Sequence, residues 1–154
     1  MLAIAVVPHG LEQEASKELA ALGANAIRPL KRCVAFESDL ACFYRLHICA
    51  RIPFRLLRQI ATFQCDGPQS LYRGVQSSFD WERWLHPSMT FRVDVSGHCD
   101  GLSHSHYSAL QVKNALVDLQ REIWGDRSSI DLQHPDLCFH LHLNKTGAVL
   151  SLDG

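Results

Sequence analysis

Cys138, His140 and His142 alternate along Leu137–Leu143, so a strand there turns all three to one face and Phe139, Leu141 and Leu143 to the other. Thiolate and imidazole are zinc ligands. Three neighbours on one strand close a tetrahedron poorly, however, and His104 and His106 would help only if folding brought them near. The favoured reading is a polar sheet face, with no metal site. A small His/Cys metal-binding enzyme stays as an alternative. Asp94, Asp100 and Asp118 stand isolated, and the chain lacks GxSxG, GxxxxGK[ST] and a glycine-rich dinucleotide turn after a strand. It is expected to have no catalytic residue of its own.

Anion binding is the chemistry better provided for. Ser103–Trp124 carries Ala109, Val112, Leu116, Leu119 and Ile123 at spacings of three and four, which predicts a long amphipathic helix. Leu110, Val117 and Trp124 widen that stripe, and Lys113, Asn114, Asp118, Gln120 and Arg121 are expected outside it. The loop before it, Ser96–Gly101, is short on bulk. Free backbone N–H groups at the helix start, with Ser103 and Ser105, suit a phosphate; a serine N-cap is the plainer reading. Positive charge is concentrated elsewhere: seven basic residues against two acids lie between Arg28 and Phe63. Arg51, Arg55 and Arg58 bracket a helix end and a strand, and Arg73, Arg92, Lys113 and Lys145 form a second set. Arginine forks grip phosphates well, provided that the side chains share a face.

These residues need elements to hold them. Leu2–Val7 reads as a buried strand, Gly10–Leu22 as a helix ending near Gly23, Ile27–Glu37 as a hairpin, Ser38 or Asp39 to Arg51 as a helix, and Phe54–Phe63 as a strand. That order is close to a ferredoxin-like α+β unit over 1–64. A second unit, 65–154, restarts at Asp66-Gly67-Pro68-Gln69 with Asp66 as the expected N-cap. It continues through a turn of helix at Trp81, a strand at Thr90–Val95, the long helix, a short strand at Ser129–Leu132, and strands Leu137–Leu143 and Ala148–Leu152. Asn144-Lys145-Thr146-Gly147 joins the last two as a hairpin turn.

Composition bounds the function. At 154 residues and 47% hydrophobic the chain can bury a core, while a net charge of −1 leaves any polyanion binding to a local patch. Six cysteines without a CxxC pair read as reduced thiols, and no apolar run approaches the length that crosses a bilayer. A cytoplasmic protein without a membrane partner is expected.

Gly10-Leu11-Glu12 with Glu18-Leu19, Val34-Ala35-Phe36-Glu37 with Asp39-Leu40, Leu71-Tyr72, Asp80-Trp81 and above all Tyr107–Asp118 resemble the RNA methylases that carry a THUMP domain. Leu141-His142-Leu143 and Leu150–Asp153 are similar to that family's closing hairpin. The resemblance implies an N-terminal ferredoxin-like unit and a THUMP α/β domain with a mixed sheet. A class I, S-adenosylmethionine-dependent methyltransferase domain would follow, with enzymes acting on guanine N2 of 23S ribosomal RNA the nearest in kind. It further implies RNA as the partner, ribosomal ahead of transfer RNA. Ser103, His104, Ser105, Lys113, Arg73 and Lys145 would then hold RNA, with Arg51, Arg55 and Arg58 beside them. Catalysis and its cofactor would belong to a C-terminal domain of the same polypeptide. A protein-interaction module is the remaining alternative.

Overall fold

The computed structural model describes residues 1–99, 101–145 and 147–154; Asp100 and Thr146, named above in the loop and the hairpin turn, lie outside the described residues. The chain divides into two compact units, Met1–Gln59 with Asp153–Gly154, and Ile60–Leu152.

The first unit runs β1 (Leu2–Val6), α1 (Glu12–Ala21), β2 (Asn25–Leu30), β3 (Cys33–Glu37), α2 (Leu40–Cys49) and the first half of β4 (Arg55–Gln64). Its strands order as β2-β3-β1-β4, with antiparallel pairing of β1 to both β3 and β4. That is the split βαβ plan of a ferredoxin-like unit. Ala3, Ala5, Val34, Phe36 and Leu56 meet Ala15 and Leu19 of α1 and Phe43 and Leu46 of α2 in one buried core. Asp39 caps α2 by accepting from the Cys42 N–H at 2.7 Å, and the helix ends at Cys49, with Ala50 already extended.

The second unit takes the rest of β4, then α3 (Pro68–Ser77), α4 (Trp81–Trp84), β5 (Phe91–Gly97), α5 (Ser105–Trp124), β6 (Leu137–Leu143) and β7 (Gly147–Asp153) up to Leu152. β6 lies between β5 and β7, parallel to the first and antiparallel to the second. Phe91 and Phe139 from the strands, Trp81 from α4, Leu71 and Val75 from α3, and Val112 and Leu116 from α5 fill its core. The expected strand at Ser129–Leu132 is reduced to a single parallel bridge between Ile130 and Phe91.

Two sequence expectations are corrected here. Gly67, not Asp66, is the N-cap of α3: Ser70 Oγ accepts from the backbone N–H groups of Asp66 and Gly67 and donates to the Asp66 carboxylate. Gln120, expected on the outer face of α5, is 2% exposed. Its amide donates to Leu85 O and Ser128 Oγ while accepting from Ser128 N, which removes the cost of burying it.

Candidate nucleic-acid interface

The register of β5 and β6 places the expected anion site. These strands run parallel and finish opposite each other at Gly97 and Leu143. The loop that climbs to α5 and the turn containing Lys145 therefore leave the same end of the sheet. At Gly101 the loop rests on the backbone of Asp66 and Gly67, where α3 begins. Ser103, His104, Ser105 and Lys145 are all exposed. The structure brings these four to one end of the second unit. His142, read from the sequence as part of the Cys/His face, and His98, not singled out there, are exposed at the same end.

The helix start differs from a serine N-cap. His104 is the N-cap residue, Ser105 is the first helical residue, and among the described residues no side chain caps α5. Among those residues no side chain takes the N–H groups of its first turn, which lie at the positive end of a 20-residue helix and suit an incoming acceptor. Asp66, where α3 begins, accepts from the Ser70 hydroxyl at 2.9 Å.

Lys113 and Arg73 do not join one patch. The flank of α5 toward α3 is marked by Gln111 donating to Pro68 O at 2.9 Å, Gln76 donating to Ala115 O at 3.0 Å, and Tyr72 donating to Asp118 at 2.6 Å. Residues 106, 109, 110 and 113 fall on the opposite flank by helical geometry. There Lys113 borders a groove closed on its far side by Ile130 and Leu132. Arg73 is exposed on α3, its guanidinium beside Gln69.

The arginines of the first unit also separate. In the register of β4 on β1, Arg55 sits opposite Val6 and Arg58 opposite Ala3, three positions apart, so they point to opposite faces. Arg55 spends its guanidinium on Asp153, with Nε and Nη2 at 3.0 and 2.8 Å from one carboxylate oxygen. Arg51 is exposed just beyond α2, its backbone N–H held by Glu18. The condition of a shared arginine face is thus not met by Arg55 and Arg58.

Cys138, His140 and His142 do share a face, half-buried to exposed, while Phe139, Leu141 and Leu143 are buried. Their partners come from β5. Arg92 donates to Cys138 Sγ at 3.2 Å and pairs with Asp94, and Ser96 Oγ sits between His140 Nε2 at 2.9 Å and His142 Nδ1 at 2.8 Å. Burial first, and the Asp94 carboxylate second, push the Cys138 thiol up, with Arg92 pulling the other way. A thiol so placed stays protonated near neutrality. Among the described residues no group of three or more His, Cys, Asp or Glu side chains is arranged to hold a metal ion.

A split βαβ unit followed by a mixed sheet under one long helix defines the class as a ferredoxin-like unit followed by an α/β domain. The THUMP domain matches residues 69–153 and the RlmL ferredoxin-like domain matches residues 3–57. The chain belongs to the THUMP domain family. It is 40% identical over 149 residues to a Synechocystis sp. protein named as an RNA methyltransferase, covering 97% of this chain and 38% of that one. It is 40% identical over 146 residues to the ribosomal RNA large subunit methyltransferase K/L of Ectopseudomonas mendocina, covering 95% of this chain and 20% of the relative. In fold it matches a possible methylase from Clostridium difficile 630 with a TM-score of 0.82, at 17% identity, over 99% of this chain and 40% of that one. The chain thus spans well under half the length of these relatives. No helix among the described residues is long and apolar enough to cross a membrane.

Proposed function

We propose that this chain is the RNA-holding N-terminal portion of an RNA methyltransferase. It grips structured RNA, ribosomal ahead of transfer RNA, while a further domain of the same polypeptide transfers the methyl group from S-adenosylmethionine. The observation that carries this reading is the end of the second unit, inside the THUMP match, where the open start of α5, Ser103, His104, Ser105 and Lys145 converge. Backbone N–H groups and the two serines would take phosphate oxygens, Lys145 would add charge, and His104 would stack or hydrogen-bond. Lys113 extends the cationic track along α5. Arg73, on the other flank of α5, and Arg51 and Arg58 of the first unit are the remaining candidates for phosphate contacts. Arg55, already paired with Asp153, is assigned the smallest share. The names of the relatives support a ribosomal substrate and methyl transfer.

Double-stranded RNA is gripped through phosphate and 2′-hydroxyl contacts and shape. Charge removal should therefore weaken binding in a salt-dependent way. The variant Lys113→Ala/Lys145→Ala is expected to bind a structured ribosomal RNA fragment about tenfold more weakly near 0.1 M salt. Two lost phosphate contacts should flatten the plot of log K against log salt by about 1.4 to 1.8. Filter binding across a salt series reads both. Unchanged affinity and slope would remove these lysines from the interface.

A further inference from the structure

The groove beside α5 is left unused by the backbone contacts above. Ala109 and Leu110 form one wall, Val93 of β5 the base, and Ile130 and Leu132 the far wall, enclosing about 220 Å³. That is below the roughly 300–1,000 Å³ of pockets for drug-sized ligands, and better suited to a single ring system.

Its far wall is held from several sides. Phe91 donates to Ser129 O and accepts from Asp131 N, both at 3.1 Å, and Arg92 Nη1 donates to Leu132 O at 3.0 Å. This fastening keeps Leu132 at 69% exposure, with Leu110 at 41% and Ile130 at 37%. Folding gains little from leaving three large apolar side chains around an open slot, and such a patch commonly marks a binding surface.

The rim identifies the occupant. Lys113 and His106 border the slot, and among the described residues no carboxylate pairs with Lys113. The acid between the two wall residues, Asp131, does not line the slot, and its Oδ1 accepts from the backbone N–H groups of Gln133 and His134, both at 3.0 Å. An apolar slot with one uncompensated cation at its lip fits a ligand that is flat and apolar at one end and anionic at the other. His106 and Lys113 are about 10 Å apart along the helix axis, the scale of a nucleotide or two.

We propose that this groove seats an unpaired nucleobase of the bound RNA, with Lys113 on an adjacent phosphate. The inference rests on the RNA-holding reading and adds to it a preference for RNA with an unpaired nucleotide beside a helix. Base recognition of this kind requires splayed single-stranded residues, which a duplex does not offer.

The test compares a blunt RNA hairpin with the same hairpin carrying a short single-stranded tail, using the 154-residue chain. Leu132→Ser removes apolar surface at an exposed position, and Ala109→Phe fills the slot without touching charge. Each is expected to weaken binding of the tailed RNA about tenfold while leaving the blunt hairpin and the salt slope as in the wild type, because an apolar contact releases no counterions. 2-Aminopurine in the tail should change fluorescence on binding to the wild type and not to Ala109→Phe. Wild-type affinity of both variants for tailed RNA would overturn the groove assignment and leave the RNA-holding reading intact. So would equal losses on blunt and tailed RNA, or intact RNA binding with loss of a protein partner. Failure of the wild type to bind either RNA would instead remove the reading on which the inference stands.

Discussion

Gly97→Ala is expected to destabilise the second unit by about 3 kcal/mol or more. Two independent costs add at this position. Gly97 has φ +71°, in the left-handed region, where a side chain costs about 1–2 kcal/mol. A Cβ there would also drive into the Leu143 carbonyl oxygen, a backbone atom of the paired strand that cannot swing aside. Gly125, at φ +70° just past α5, is the control, because a Cβ there meets nothing within 4 Å. Gly125→Ala should cost only the conformational part, about 1 kcal/mol. Urea unfolding of the two variants side by side checks this. Equal losses would show that the close approach of β5 and β6 is not rigid. The position matters for function as well, because Gly97 launches the loop that carries Ser103, His104 and Ser105.

Gln120→Ala should cost about 3 kcal/mol, an unusual penalty for a polar residue on a helix. Truncation strands the Leu85 carbonyl and the Ser128 N–H, each otherwise satisfied by the amide at 3.0 and 2.8 Å. A buried group left without a partner costs about 1–3 kcal/mol. Ser128→Ala removes only the hydroxyl, which donates to His86 O and accepts from Gln120, and should cost about half as much. The double variant should fall well short of the sum of the single losses, since the two side chains satisfy one another. Additive losses in denaturant unfolding would mean that the residues do not act as a unit.

Gln120 shows why part of the molecule was hidden in the sequence. The 3.6-residue period located α5 within two residues of its start, and alternation gave the bounds of β6, because both patterns are local. Glutamine on a helix counts as outward by the same arithmetic. Its real partners, Leu85 and Ser128, lie 35 and 8 positions away, and only tertiary structure supplies them. The α3 cap was misplaced on Asp66 for a related reason: Ser70 reaches back to the same N–H groups from the first turn.

The site divides along the same line. Ser103, His104 and Ser105 were legible as a helix start, and Cys138, His140 and His142 as one face. That Lys145 joins the former depends on the parallel register Gly97 to Leu143, which no local pattern encodes. The opposition of Arg55 and Arg58 was legible in principle, since three positions on a strand reverse the face. The groove at Lys113 was not legible, because its far wall arrives from residues 130 and 132 through backbone bonds to Phe91.

The most direct measurement is the affinity of the wild-type chain for a structured ribosomal RNA fragment, followed from 50 to 300 mM salt. The account predicts binding that weakens linearly on a log–log plot, with a slope set by several phosphate contacts. Binding absent at the lowest salt, or present and indifferent to salt, would contradict it.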